Sequence, residues 1–142
     1  MKKLLLLIMI CAGLFGANVD EYAKSEGFER DYKTALNKAK ATNKPLMMVL
    51  GADYCPWCRK FERKTLSSQE VKSYLDKNIV TLVVDKKFDI ETFPKEFQTS
   101  MTPRVFFIDP KTGKDFFQTA GYIKKKEFMK NLAEVKTLYK GK

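Results

Sequence analysis

Hydrophobic positions alternate along the chain between helical spacing and short continuous runs. Between residues 21 and 42, apolar side chains recur at helical intervals, which predicts a single helix that ends before Pro45. Three later runs are continuous and strongly apolar. They are too short for helices and are typical of buried strands, and they cover residues 46–50, 79–84 and 105–108.

The remaining segments predict how these strands are connected. Pro56 suits the first turn of a helix, where its missing N–H loses no partner, and Ser67 with Glu70 predicts a capping box that opens another helix. Turn-forming residues 109–113 separate two strand-like runs and predict a hairpin. An amphipathic helix follows Gly121. The order predicts an α/β fold in which a mixed central β-sheet is flanked by helices on both faces.

The first 17 residues have the organisation of a secretory signal peptide. A short positively charged start precedes an apolar stretch at 4–14, and Ala17 ends a small-residue exit. We expect cleavage near Ala17, which leaves residues 18–142 as one periplasmic domain. An uncleaved membrane anchor is a weaker alternative, because it needs about 20 apolar residues, more than this stretch supplies. A lipoprotein attached through Cys11 is also a weaker alternative, because bulky Ile10 precedes that cysteine.

Cys55 and Cys58 are the two cysteines of that domain, and the chain contains no histidine. These residues cannot supply the four ligands of a closed zinc site, so we expect no metal and no cofactor. A disulfide across so short a loop stabilises the fold by only about 2 kcal/mol in the chain-entropy model. The same spacing leaves the second thiol within reach to resolve a mixed disulfide. The pair therefore favours thiol–disulfide exchange over a structural role.

The formal net charge of +10 changes this picture little. A basic surface can attract acidic partners or an anionic membrane, but we prefer the interpretation of a solvated lysine-rich surface with no specific partner. The lysine runs at 86–87 and 124–126 are not interleaved with the aromatic residues that single-stranded nucleic acids stack on. We expect no nucleic-acid partner.

Several segments together resemble the thioredoxin superfamily. They are Lys44-Pro45 before an apolar strand, the run Ala-Asp-Tyr-Cys-Pro-Trp-Cys-Arg-Lys-Phe-Glu at 52–62, and Thr102-Pro103. Over about residues 28–135 the chain also resembles the C-terminal periplasmic thioredoxin-like domain of the thiol:disulfide interchange protein DsbD. The motifs are specific for the superfamily and much less so for one member.

The resemblance implies a thioredoxin fold and assigns roles to four residues. Cys55 is the exposed nucleophile and Cys58 the buried resolving thiol. A cis peptide bond is implied before Pro103, packed against the disulfide, and the backbone beside Thr102 is implied to pair with the substrate chain.

One departure from the family leaves a role open. The buried aspartate that assists proton transfer in such domains is replaced by Val49, six positions before Cys55. Glu62 matches an acidic position of the DsbD-type domain and is a candidate for that role, with a solvated helix residue as the alternative. Trp57 is expected either to contact partners or simply to cover the disulfide, and Tyr54 to pack beside the site.

The expected function is an exported thiol–disulfide oxidoreductase that reduces disulfides in cysteine-containing exported proteins. A membrane thiol–disulfide electron donor would recharge it. Two alternatives stay open: an oxidant that donates its disulfide, and a non-catalytic thioredoxin-fold binding or chaperone module whose cysteines are incidental.

Overall fold

The computed structural model describes residues 19–140, and the predicted signal peptide lies outside them. Within the described residues, no helix is both long and apolar enough to cross a membrane. The elements in chain order are α1 (Val19–Glu26), α2 (Tyr32–Thr42), β1 (Leu46–Gly51), α3 (Pro56–Phe61), a π-helical turn (Glu62–Leu66), α4 (Gln69–Asn78), β2 (Val80–Asp85), a 3₁₀ turn (Lys95–Phe97), β3 (Arg104–Ile108), β4 (Asp115–Ala120) and α5 (Lys125–Lys140).

The described strands form one mixed sheet in the order β2-β1-β3-β4. Strand β1 runs parallel to β2 and antiparallel to β3, and β3 pairs antiparallel with β4. The predicted mixed sheet and hairpin are both confirmed. Met47 and Met48 on β1 are fully buried, as expected for a strand in the middle of the sheet.

Both faces of the sheet are covered, because successive side chains of β1 point to opposite sides. Met47 and Val49 join a core cluster with side chains of α1, α4 and α5. Leu46, Met48 and Leu50 join a second cluster with α2 and the segment of the 3₁₀ turn. The predicted α/β architecture with helices on both faces is therefore confirmed.

The single helix predicted for residues 21–42 is wrong, since the structure has α1 and α2 instead. Gly27 has a φ of +70°, a left-handed conformation that ends α1 and that glycine adopts without a steric penalty. Glu29 then forms a β-bridge with Leu82. Asp31 opens α2 by accepting the Thr34 backbone N–H at 2.7 Å.

The predicted capping box at Ser67 and Glu70 is also wrong. Helix α3 continues into the π-helical turn, and the Ser67 N–H donates to the carbonyl of Glu62 at 2.9 Å. The Ser67 hydroxyl donates instead to Glu26 Oε1 at 2.9 Å. Ser68 precedes α4, and its side chain caps no helix N–H.

Candidate active site

Cys55 and Cys58 form a disulfide at the start of α3, with their Cα atoms 5.2 Å apart. Cys55 is the N-cap residue, and Pro56 occupies the first turn. The backbone N–H of Cys58 donates to Cys55 Sγ at 3.1 Å, so the sulfur takes the place that a capping oxygen usually fills. One N–H of the first helical turn, which has no partner within the helix, therefore donates to the sulfur of Cys55.

The two sulfurs differ in their access to solvent. Cys55 is 8% exposed and Cys58 is 2% exposed. The first cysteine is thus more exposed than the second, which agrees with the resemblance. In the disulfide, however, Cys55 is less exposed than the resemblance implied. Cys55 is therefore the more accessible sulfur of the two in the disulfide.

Thr102 and Pro103 lie against Cys55, although they are far from it in sequence. The peptide bond between them is cis, as the resemblance implied. The Thr102 hydroxyl donates to Cys55 Sγ at 3.5 Å, and the Thr102 carbonyl oxygen lies 3.8 Å from the same sulfur. A disulfide sulfur carries no proton, so the second contact is not a hydrogen bond in this state.

Asp85 is a site residue that the sequence analysis missed. It ends β2, is 2% exposed, and lies beside Gly51 in the parallel ladder. Its carboxylate accepts the backbone N–H groups of Lys87 at 2.8 Å, Phe88 at 2.9 Å and Asp53 at 3.2 Å. It therefore fixes the loop that leads into Cys55 against the next loop of the same sheet edge. An acidic residue ending a buried run was the available signal.

Glu62 is 5% exposed, so the interpretation as a solvated helix residue is wrong. Burial raises the pKa of its carboxyl to about 7, and the charge of Arg59 opposes that rise. Arg59 Nη2 lies 3.1 Å from Glu62 Oε1. An open cleft of about 480 Å³, lined by Tyr22, Pro56, Arg59, Glu62 and Arg63, connects this carboxyl with solvent.

Arg59 links Glu62 to the end of β1. Its Nη2 donates to the Ala52 carbonyl at 3.4 Å. A Cβ placed on Gly51 would lie 3.8 Å from Cys58 Sγ and 3.9 Å from Arg59 Nη2, so both groups lie beside Gly51. Val49, in the position of the family's aspartate, is 2% exposed within an apolar cluster. The charges near Cys58 therefore come from α3 and its π-helical extension.

The aromatic residues around the disulfide face solvent. Tyr54 is 71% exposed, so the expectation that it packs beside the site is wrong. Trp57 is 56% exposed, and its ring lies 5.9 Å from that of Tyr122 at an interplanar angle of 31°. Much of the Trp57 surface is free for a partner to contact.

The chain was compared with known proteins and structures. The family model described as "Thioredoxin-like domain" matches residues 32–136. The chain belongs to this thioredoxin-like family. The match spans β1 to β4 and most of α5, and it includes both cysteines and Thr102-Pro103.

Two relatives match over shorter segments. The chain is 41% identical over 78 residues to the thiol:disulfide interchange protein DsbD of Cronobacter sakazakii, covering 48% of this chain and 13% of that protein. It is 34% identical over 53 residues to spermatogenesis-associated protein 20 of Rattus norvegicus, covering 37% of this chain and 7% of that protein. The chain thus spans only a small part of the length of either relative.

Solved structures share the fold at lower identity. A thioredoxin from Thermus thermophilus has a TM-score of 0.67 at 24% identity, over 76% of this chain and 85% of that one. The DsbH oxidoreductase has a TM-score of 0.62 at 21% identity, over 79% and 83%. The oxidised C-terminal domain of DsbD from Neisseria meningitidis has a TM-score of 0.58 at 22% identity, over 75% and 97%.

These observations establish a thioredoxin-like fold of the type found in DsbD and DsbH, with a CxxC disulfide at a helix start. Proteins with the thioredoxin-like fold are generally thiol–disulfide oxidoreductases, and partners of such proteins carry thiols or disulfides. The roles of Cys55, Cys58, Glu62, Trp57 and Thr102-Pro103, and the absence of a cofactor, stay predictions.

Proposed function

We propose that this thioredoxin-like protein reduces disulfides in exported proteins through Cys55 and Cys58. The observation that carries the proposal is the disulfide itself. It begins a helix whose N–H donates to Cys55 Sγ at 3.1 Å, and it leaves Cys55 more accessible than Cys58. A hydrogen bond to sulfur favours the thiolate, which is the nucleophilic form.

In this reaction two electrons pass from the Cys55–Cys58 dithiol to the client disulfide. The Cys55 thiolate attacks one sulfur of the client disulfide, which forms a Cys55–client bond and releases a client thiolate. Cys58 then loses its proton and attacks Cys55 Sγ, which breaks the mixed disulfide and releases the second client thiolate. The client gains two electrons, and its two thiolates take up the proton released by Cys58 and, from water, the proton released when Cys55 ionised; the protein ends as the Cys55–Cys58 disulfide.

Glu62 is proposed to accept the proton of Cys58 in the second step. Its pKa of about 7 matches the working range of a base near neutral pH. Arg59, which contacts Glu62 and lies with Cys58 beside Gly51, places the two groups in the same neighbourhood. The cleft beside Glu62 lets its proton pass to water.

Trp57, Thr102 and Pro103 are proposed to contact the client. The Thr102 hydroxyl contacts Cys55 Sγ, Pro103 follows Thr102 through a cis peptide bond, and Trp57 presents a large exposed ring on the first turn of α3. A client cysteine bonded to Cys55 is therefore proposed to lie near these three residues. The large aromatic surface of Trp57 contributes apolar contact area.

The cellular setting is part of the same proposal. Residues 1–17 have the pattern of a signal peptide, and export would place the protein in the periplasm, where disulfides persist. Each turnover consumes the dithiol, so a membrane thiol–disulfide electron donor is proposed to regenerate it. The similarity to DsbD, whose name describes thiol:disulfide interchange, supports exchange chemistry in either direction.

Disulfide donation is the second candidate, and a specific contact favours it. Both the Cys58 N–H and the Thr102 hydroxyl donate to Cys55 Sγ. Donors that stabilise the thiolate also stabilise the reduced protein, which makes a dithiol pair more oxidising. The reduction potential separates the two directions.

Cysteine variants test whether exchange occurs at all. The purified protein should catalyse reduction of a disulfide-bonded client by a small thiol. Cys55→Ser should abolish this turnover. Cys58→Ser should also lose turnover but accumulate a covalent mixed disulfide, because Cys55 can attack and no thiol resolves the product. A Cys55→Ser protein that kept full activity would contradict the proposal and favour a binding or chaperone module.

A further inference from the structure

Lys60 lies over two aromatic rings beside the active-site disulfide. Its Nζ is 5.0 Å from the centroid of the Trp57 ring and 4.7 Å from that of Tyr122. The two rings are themselves 5.9 Å apart. We call these three residues the Lys60 cluster. Cation–π attraction acts even at exposed sites, so it favours this position of the ammonium over other side-chain conformations.

The Lys60 charge has no carboxylate partner. Across residues 19–140, no ion pair within 4.0 Å involves Lys60. Glu62, two positions along the chain, is buried and paired with Arg59. Lys60 itself is exposed. Ring faces are not hydrogen-bond acceptors of carboxylate strength, so the three donors of the ammonium are available to an incoming carboxylate.

The cluster is built on the helix that Cys55 caps. Trp57 and Lys60 are three positions apart on α3, on the same face of the helix that Cys55 caps. Tyr122 follows Gly121, whose N–H donates to the Pro103 carbonyl at 2.8 Å. The cluster therefore joins α3 to the segment that follows Pro103. Cys55 caps α3, and Thr102, the residue before Pro103, contacts the sulfur of Cys55.

From this arrangement we infer that the Lys60 cluster binds an acidic side chain of the partner protein, close to the cysteine that reacts with Cys55. The partner segment would carry Asp or Glu for the ammonium, and its aliphatic or aromatic groups would pack on the exposed Trp57 ring. This inference rests on the proposed exchange at Cys55. It adds to it a preference for acidic cysteine-bearing segments, which the net charge of +10 also favours.

The test compares two peptide disulfides that differ only in charge. Both carry the same cysteine, flanked on each side by Glu in one peptide and by Gln in the other. The rate of exchange with the reduced protein is measured for each. An exposed ion pair changes an equilibrium by about 1.5- to 5-fold, so the Glu peptide should react roughly three times faster. The preference should shrink in about 0.5 M salt, which screens exposed charges.

Three variants assign the preference to Lys60. Lys60→Gln should bring the ratio of the two rates close to one, and Lys60→Arg should retain the preference because it keeps the cation. Lys136→Gln is the matched control. It removes the same charge from an exposed lysine on α5, beside Pro45 at the opposite end of β1 from Cys55, and it should keep the ratio.

Each contrary outcome has a distinct meaning. A ratio that is the same in the unaltered protein and in Lys60→Gln overturns the inference and leaves the exchange reaction in place. Loss of the preference in Lys136→Gln as well also overturns it, because net charge and not the cluster would then select the partner. An unaltered protein that exchanges with neither peptide overturns the proposed function, and the inference with it.

Discussion

Glu62 makes the stability of this protein depend on pH in a way that one substitution can remove. The folded state raises the pKa of its carboxyl from 4.5 to about 7, because the group is buried. The unfolded chain keeps the lower value. The two states therefore differ in protonation between about pH 4.5 and about pH 7. Each unit of pKa difference between them changes the free energy of unfolding by about 1.4 kcal/mol.

The sign follows from which state holds the proton. Below about pH 4.5 Glu62 is protonated in both states, and burial of the neutral acid carries no ionisation penalty. As the pH rises towards 7, the unfolded chain releases the proton while the folded protein retains it. The free energy of unfolding therefore falls by about 3 kcal/mol over this window and then levels off.

Glu62→Gln removes that fall, because the amide has the same shape and does not ionise. The free energy of unfolding of the oxidised protein is measured by denaturant titration at several pH values between 4 and 8, with and without the substitution. The variant's stability relative to the unaltered protein should rise by about 3 kcal/mol between pH 4 and pH 8.

The matched control is Glu127→Gln, which removes an exposed carboxylate from the first turn of α5. Subtracting its pH profile corrects for the loss of one negative charge. A Glu62→Gln difference that stays flat from pH 4 to pH 8 would refute the reasoning, since it would mean that burial does not hold the proton on this carboxyl.

Two further stability predictions follow from the structure. Asp85→Ala leaves three backbone N–H groups without their acceptor. It should lower the free energy of unfolding, measured by denaturant titration, by roughly 3 kcal/mol. A loss below about 0.5 kcal/mol would contradict the role given to Asp85. Phe61→Ala removes a fully buried ring that packs edge-to-face on Phe128 at 5.3 Å and should cost about 3–5 kcal/mol. Phe88→Ala, at a ring 69% exposed, should change stability by no more than about 0.5 kcal/mol in the same assay, and equal losses in the two phenylalanine variants would contradict the packing described here.

Strands β1, β2 and β3 were predictable because they are buried on both faces. Such strands consist of continuous apolar runs, and residues 46–50 and 105–108 match β1 and β3 almost residue for residue. The hairpin was predictable for a separate reason, since residues 109–113 carry turn chemistry between two such runs. The cysteine pair was visible from spacing alone, and Pro56 placed it at a helix start.

The boundaries that failed depend in part on contacts distant in sequence. Gly27 and Asp31 were local signals of the break between α1 and α2, and the bridge between Glu29 and Leu82 adds a distant contact to them. The Ser67 hydroxyl donates to Glu26, which a local capping rule does not consider. The capping error therefore arose where a tertiary contact overrides a local pattern.

The site was only partly predictable for the same reason. Sequence spacing left Glu62 equally suited to solvent or to chemistry, and its burial emerges only when α3 and the π-helical turn pack on the sheet. Asp85 was missed although two of its backbone partners, Lys87 and Phe88, follow it closely; its contact with Asp53, which ties it to the loop before Cys55, is the distant one. The cation–π contacts of Lys60 with Trp57 and Tyr122 depend on a residue more than sixty positions away.

The reduction potential of the Cys55–Cys58 pair tests the central claim most directly. The purified protein is equilibrated in thiol redox buffers, and its oxidised fraction is read by alkylation of the free thiols or by Trp57 fluorescence. A reductase recharged by a membrane donor should have a potential near or below about −250 mV, at the reducing end of the range for thioredoxin-like proteins. A potential above about −150 mV would contradict the account and establish disulfide donation as the function to pursue.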